Sequence, residues 1–423
     1  MQRNVCLIND SFAPTIDGVA NAVMNYGLIL NRDFGRASVV TPYVPGAQDD
    51  KLPFPVLRYP SLGLTRLEGY RAGYPFSAAV LESLERGGFQ LIHSHCPFTA
   101  TMLARALRDR IDVPVVFTYH TKYDVDIANA VDLKPVQDGV IRWIVQNIEA
   151  CDEVWTVSRG AGDNLRKLGY HGGLRVMPNG VDFPRGAADP AQIQALKREF
   201  PLPENLPIFL YVGRMMWYKG IRITLDALAA LKAAGEDFRM VFVGGGADRE
   251  EIVAYADKLG LGDRVLFAQP VHDRERLRAW YCRADLFLFP SSFDTNGLVV
   301  REAAACALGS VLIGGSCAAE DVTDGQNGYL IEENPESMAA LLRRVMHDRP
   351  ALLALGKRAE QELYISWDEA VALASARYDE VIENYRRGLY PRHRTISDLF
   401  YHNMDQALKL FSDISLARFG EDD

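Results

Sequence analysis

The sequence predicts an α/β protein built from two parallel-sheet domains, and three observations predict it. Short runs that are apolar almost throughout alternate with longer stretches of helical spacing. The alternation happens twice, as two series of six candidate strands. A length of 423 residues, at roughly 150 residues per domain, admits two or three domains with ample core. Strands that are apolar on both faces and joined by helical crossovers belong to parallel sheets covered on both sides.

The first series is VCLI at 5–8, ASVVT at 37–41, LIHS at 91–94, VVFT at 115–118, EVWTV at 153–157 and LRVM at 174–177. Residues 18–30 and 99–110 read as helices between them. A connector containing Ala, Asp, Pro and Glu follows to about Leu206. The second series is IFLYV at 208–212, RMVFV at 239–243, RVLFA at 264–268, DLFLF at 285–289, SVLIG at 310–314 and GYLIE at 328–332. Residues 340–387 read as helical with a break near Ser366. The predicted domains are therefore 1–185 and 186–370, with 371–423 as a further helix and tail. In the tail Met404, Ala407, Leu408, Phe411 and Ile414 recur at helical spacing, which predicts a helix docked on the body of the protein, ahead of a membrane-surface or partner-binding helix. A ligand is expected in the cleft between the domains, outside the carboxyl ends of their strands.

The formal charge is −9, from 46 Lys and Arg against 55 Asp and Glu. Residues 1–180 carry 18 of each sign, so the whole excess lies in the remainder. That balance excludes a surface built as a whole to hold nucleic acid, while leaving room for a locally basic face. The short apolar run near the start ends at Asn9 and Asp10 and lacks the pattern of a secretory signal, and no apolar stretch reaches roughly 18 residues. A cytoplasmic location is expected. The six cysteines, at 6, 96, 151, 282, 306 and 317, have no metal-ligand spacing and read as reduced core residues.

Two segments carry candidate chemistry. In YVGRMMWYKG, at 211–220, a buried strand ends at Gly213 and is followed by Arg214 and Lys219 before a helix begins near Ile221. An arginine fork and a lysine point charge at a strand end suit a diphosphate, and glycine permits close approach; a solvated turn with incidental charges is the competing reading. In FPSSFDTNGLVVREAAACALGS, at 289–310, polar residues including Asp294 and Asn296 form the exit loop, Gly297 allows a tight turn, and a helix starts at Leu298 and Val299. Its free amides make an anion site. Glu302, one turn in, is placed to accept from ribose hydroxyls, against the alternative of a salt-bridging glutamate.

Taken in order, these features resemble the retaining glycosyltransferases of family 4, which have the GT-B fold of two Rossmann-like domains facing across a cleft. The resemblance spans nearly all of residues 4–387. It rests on the N-terminal turn Pro14, Thr15, Ile16, Asp17 and Gly18, with Asp17 in place of the first of two glycines; on His120 in VFTYHTKYD; on the G-R-x-x-x-x-K-G of 213–220; and on two carboxylates spaced like the family's glutamate pair, here Asp294 and Glu302. The glycines and acids of 314–328 and Trp367 also match, and the resemblance implies that residues 371–423 form a helix crossing back to the first domain and a tail packed on it. The resemblance implies that Gly18 approaches the donor phosphate, that His120 contacts the donor sugar, and that Arg214 and Lys219 hold the diphosphate. Catalytic roles thus fall on His120, Arg214, Lys219 and Asp294, and donor binding on Gly18, Gly213, Arg214, Lys219, Asn296, Gly297, Leu298, Val299 and Glu302.

The implied reaction transfers a hexosyl unit from a nucleoside diphosphate sugar to a hydroxyl acceptor with retention of configuration. The donor domain is the second and the acceptor domain the first. Members of the group work without a bound metal, and none is expected; Asp124 and Asp126 have metal-pair spacing but belong to the histidine segment. YHTKYDVD resembles the corresponding stretch of enzymes that glucosylate diacylglycerol. Lipid acceptors therefore rank ahead of sugars and small molecules, and UDP-glucose ahead of other donors. Arg58, Arg66 and Arg71 share a region with Tyr59, Leu62, Leu64, Leu67, Tyr70, Tyr74 and Phe76, a mixture that either touches anionic headgroups, as a peripheral enzyme of the inner membrane face would, or covers the first domain. The competing class is a weakly active sugar-nucleotide-binding or interaction protein on the same frame.

Overall fold

A computed structural model describes residues 3–15, 17–63 and 71–390. The described chain divides into two compact units: residues up to Pro178 together with residues 367–390, and Asn179–Ser366. Each contains a parallel sheet with helices between its strands.

The sheet of the first unit has seven strands: β1 (Arg3–Ile8), β2 (Gly35–Pro42), β3 (Val56–Tyr59), β6 (Leu91–Ser94), β7 (Val115–Tyr119), β8 (Glu153–Thr156) and β9 (Arg175–Val176), in the order β3-β2-β1-β6-β7-β8-β9. Between β3 and β6 in the chain, β4 (Ser61–Gly63) and β5 (Arg71–Gly73) form a separate antiparallel pair. The expectation of six strands is corrected to seven. Val56–Tyr59 lies between Pro55 and Pro60, and prolines at both ends mask a strand that is tolerated because it sits at the sheet edge. β6 and β7 are buried along their whole length, as a doubly covered sheet requires. The helix Gly18–Ile29 is capped by Asp17, whose Oδ1 accepts from the amides of Val19 and Ala20 at 2.9 and 2.7 Å. The last helix, Trp367–Arg386, runs on this unit, where Arg3 donates to Asp379 and Ser375 and the Tyr378 ring stacks on Trp155.

The second unit holds β10 (Ile208–Val212), β11 (Arg239–Val243), β12 (Val265–Ala268), β13 (Leu286–Phe289), β14 (Ser310–Ile313) and β15 (Tyr329–Ile331), in the order β12-β11-β10-β13-β14-β15. The residues read as a plain connector contain a helix, Pro190–Glu199, started by Asp189 as cap and Pro190 at its first turn. Leu225, Leu228 and Leu231 of the helix Ile221–Ala233 belong to the same buried core as the β10 and β13 side chains. In both sheets the order reverses beside the first strand, between β1 and β6 and between β10 and β13. Such a switch point opens a crevice at the carboxyl ends of the strands.

The tail residues Met404, Ala407, Leu408, Phe411 and Ile414, and Ile16, Leu64, Arg66, Leu67 and Tyr70, lie outside the described residues. Among the described residues no helix is long and apolar enough to cross a membrane.

Candidate active site

Loops leaving β10, β13 and β14, three neighbouring strands, assemble the polar residues of the second unit. Gly213 continues β10 by donating to the Val243 carbonyl at 3.1 Å. The chain then turns through Trp217–Lys219 to Gly220, at φ 75°, which starts the next helix. A Cβ at Gly220 would lie 1.8 Å from the Pro290 carbonyl oxygen, so only glycine lets this loop meet the one leaving β13. The meeting has a chemical result: Lys219 Nζ donates to Asp294 Oδ1 at 2.7 Å, joining motifs 75 residues apart. The lysine is buried, with Tyr218 and Phe293 rings 5.5 and 5.3 Å from its ammonium, whereas Arg214 is exposed. A shielded cation beside a carboxylate keeps more of its field than a surface lysine does.

Several buried polar atoms on the loops leaving β13 and β14 have no protein partner among the described residues. They are Asp294 Oδ2, both amide atoms of Asn296, and the hydroxyls of Ser291 and Ser316. Buried polar groups are normally satisfied, so this cluster is shaped for a polar ligand. Gly297, in left-handed conformation, precedes the helix Leu298–Ala305, and among the described residues no backbone carbonyl accepts from the amides of Leu298 or Val299. Donors of that kind at a helix start attract anions.

Glu302 lies on the buried side of this helix and is already engaged: Oε1 accepts from Arg274 at 2.8 Å and Oε2 from the Tyr281 hydroxyl at 2.9 Å. Burial raises its pKa, opposed by the Arg274 charge. The salt-bridging reading of Glu302 is therefore present in the unliganded chain, although each carboxylate oxygen keeps a lone pair for a second donor. The Arg274 side chain is 44% exposed, so solvent screens the pair, and Arg274→Ala is expected to cost about 1–3 kcal/mol rather than the full penalty of a buried ion pair. Adding Glu302→Gln to that variant should recover most of the loss, because the remaining buried group is then neutral. Urea unfolding midpoints of the single and double variants measure this.

The first unit brings its own residues to the ends of β1, β6 and β7. His120, just past β7, is buried and its Nε2 lies 3.0 Å from His95 Nδ1, the rings stacked at 5.3 Å. His93, whose ring centroid is 3.9 Å from that of His95, bonds Tyr378 through Nδ1 at 2.6 Å and Thr118 through Nε2 at 2.7 Å. Burial pushes all three histidines down, His120 to about 3, so each is neutral at pH 7. His120 and His95 thus form a buried imidazole pair sharing one hydrogen. Asp10, one residue past the Asn9 that follows β1, accepts from Thr99 and from the Ala100 amide at 2.9 Å, and burial raises its pKa.

Neither His93, His95 nor Asp10 figured among the sequence candidates. The H-x-H of LIHSHC, two like side chains on one face at a strand end, is the signal that points to the two histidines. Arg274 and Tyr281 had no local signal, since their role exists only through Glu302. At the N-terminal turn, Asp17 takes the Val19 and Ala20 amides, and a Cβ on Gly18 would touch nothing within 4 Å. Asp124 accepts from Asn164 at 3.2 Å. Among the described residues no group of three His, Cys, Asp or Glu side chains is arranged to hold a metal ion.

Of the mixed basic and aromatic region, Arg58 is internal: it donates to Asp49, Pro42 and Ala13, with its side chain 7% exposed. Tyr59 and Phe76 are buried, while Leu62 is 77% and Tyr74 52% exposed. The reading of Arg58, Tyr59 and Phe76 as cover for the first domain is the one their positions fit.

Residues 192–362 match the family described as Glycosyl transferases group 1, and residues 16–185 match Glycosyltransferase Family 4. A D-inositol 3-phosphate glycosyltransferase of Xylanimonas cellulosilytica is 32% identical over 315 residues, covering 70% of this chain and 74% of its own length. An alpha-monoglucosyldiacylglycerol synthase of Streptococcus pneumoniae is 21% identical over 344 residues, 80% of this chain and 78% of its own. Among solved structures, Anabaena HepE in complex with UDP aligns with a TM-score of 0.71 at 19% identity, over 90% of this chain and 100% of that one. The sucrose-phosphate synthase of Thermosynechococcus elongatus gives 0.69 at 21% identity, over 90% and 99%. These structural likenesses are of fold, and the fold is GT-B.

Proposed function

Since the chain belongs to glycosyltransferase family 4, and so is a nucleotide-sugar-dependent transferase, we propose that it moves glucose from UDP-glucose to a hydroxyl acceptor with retention of anomeric configuration. The observation that carries this reading is the Lys219–Asp294 pair, set at the switch point beside exposed Arg214, the amides of Leu298 and Val299, and the unpartnered amide of Asn296. Cations and helix amides together stabilise a diphosphate as it leaves. Gly213, Gly297 and Gly18 line turns where backbone approaches the donor, and Glu302 accepts from its ribose. HepE, solved with UDP and with UDP-glucose, supports the choice of donor.

In the proposed step the bond from the anomeric carbon to the diphosphate oxygen breaks while the acceptor oxygen bonds to the same face. The departing oxygen takes the acceptor proton, so no enzyme nucleophile is needed. Lys219 and Arg214 hold the developing negative charge, and Asp294 fixes Lys219. His120, neutral because it is buried, hydrogen-bonds a sugar hydroxyl without adding positive charge next to an oxocarbenium-like carbon.

Two acceptor classes have separate support. The relatives named for inositol 3-phosphate, at 32% and 31% identity, favour a phosphorylated polyol. The exposed Leu62 and Tyr74, together with the diacylglycerol-glucosylating relative, favour a lipid reached by peripheral contact with the inner membrane face. A panel of nucleotide sugars with inositol phosphate and with diacylglycerol vesicles, read by product mass, decides between them. One acceptor is expected to gain a hexose; a folded protein giving neither transfer nor UDP release with any donor contradicts the reading.

A further inference from the structure

The Glu302 carboxylate is gripped by one neighbouring helix, Arg274–Arg283, which carries both of its partners. Arg274 donates to Oε1 at 2.8 Å and the Tyr281 hydroxyl to Oε2 at 2.9 Å, so each oxygen has one donor. The two donors are themselves braced. The guanidinium carbon of Arg274 lies 4.3 Å from the centroid of the Phe183 ring, and that ring meets the Tyr281 ring edge-on at 5.7 Å. Asp182 Oδ2 is 3.5 Å from the same Arg274 nitrogen that reaches Glu302, so that nitrogen sits between two carboxylates. Phe183, Tyr281 and Glu302 are all buried. Such a bracket does two things. It fixes the plane of the carboxylate, since any turn short of 180° stretches both hydrogen bonds. It also opposes the burial that would favour the neutral acid. A charged, planar carboxylate with a lone pair left on each oxygen accepts two further hydrogen bonds side by side, which is what a vicinal diol donates.

We propose that Arg274 and Tyr281 are positioning residues that set the preference of the donor site for ribonucleotides over 2′-deoxyribonucleotides, by fixing the Glu302 carboxylate in plane for the 2′,3′-diol. A ribose engages both oxygens of Glu302. A 2′-deoxyribose has a single hydroxyl there and leaves one of the two lone pairs without a donor, whatever the rest of the nucleotide gains. The preference therefore depends on the carboxylate being held in place before the nucleotide arrives, and Arg274 and Tyr281 act on it only through Glu302. The inference rests on the reading of Glu302 as the group that accepts from the donor ribose.

Calorimetric titration of the full chain with UDP and with 2′-deoxy-UDP tests it. The wild type is expected to bind UDP about tenfold tighter or more, the size of one hydrogen bond to a charged group. Tyr281→Phe keeps the ring packed on Phe183 and loses only the hydroxyl, and it should shrink that ratio severalfold. Arg274→Ala should do the same, and Arg274→Lys should recover part of the ratio by returning the charge without the fork. In each variant UDP affinity should fall while 2′-deoxy-UDP affinity changes little, a split that general loosening of the fold does not produce. Glu302→Ala, or the isosteric Glu302→Gln, separates the two readings. A ratio lost in the Glu302 variants but kept at its wild-type value in Y281F and R274A overturns the positioning roles and leaves the ribose contact intact. A wild-type ratio in the Glu302 variants takes Glu302 off the ribose, and the inference falls with it. So does a wild-type protein that binds the two nucleotides equally or binds neither.

Discussion

Lys219→Ala is expected to lower kcat/KM for the donor by about two to three orders of magnitude, the size of effect seen when one preorganised charge-stabilising donor is removed. Its ammonium is buried and held by Asp294 at 2.7 Å, so its position is fixed before substrate arrives. Lys219→Arg retains the charge but must fit a planar fork where the point charge sat, and should recover only part of the activity. UDP affinity should fall with activity, because the same charge binds the diphosphate. The folding cost is moderate, since the Asp294 side chain is 23% exposed and keeps some solvation once its partner is gone. Asp294→Glu tests the partner: the extra methylene pushes against a packed pair, so turnover should change more than UDP affinity. A K219A protein with wild-type UDP affinity and turnover would remove Lys219 from the mechanism.

Acidification should destabilise the first unit by way of its histidines. His93, His95 and His120 are buried together with pKa values depressed below the ordinary 6.5, His120 to about 3. The unfolded chain therefore binds more protons than the folded one between those values. The contribution is fully present above about pH 6.5 and is lost as pH falls toward the folded pKa values. Three protons taken up on unfolding correspond to a slope of about 4 kcal/mol per pH unit at its steepest. Asp10, whose pKa burial raises, acts in the opposite sense, so the histidine contribution is read between about pH 6.5 and 5 as the difference between the wild type and His120→Gln. Urea unfolding followed through a probe in the first unit gives the measurement, and His120→Gln should reduce the slope by about one third, as one of three titrating groups is gone. Stability independent of pH in that window contradicts the neutral cluster.

The strands with unbroken apolar runs were legible in the sequence because burial on both faces leaves a compositional mark: IFLYV and RMVFV coincide with β10 and β11. The edge strand Val56–Tyr59 was not, since its flanking prolines and Arg58 read as a loop until its pairing with β2 is known. The loop cations and the two carboxylates were identifiable from motif order. Their connection was not, because the Lys219–Asp294 contact depends on two loops meeting at Gly220 and Pro290. The same holds for Arg274 and Tyr281 on Glu302 and for the histidine cluster. Each is a product of tertiary packing between segments with no common pattern, whereas Asp17 as a helix cap follows a local rule that the family resemblance had obscured.

Retaining transfer from a UDP-sugar without an enzyme nucleophile fixes the anomeric configuration of the product, which can be measured. With UDP-α-glucose and the acceptor found in the panel, proton NMR of the freshly formed glycoside should show the small anomeric coupling of an α-linkage, and no glucosylated enzyme should be seen by intact mass during turnover. A large coupling, diagnostic of a β-linkage, would contradict the account, as would a stable adduct one hexose heavier than the protein.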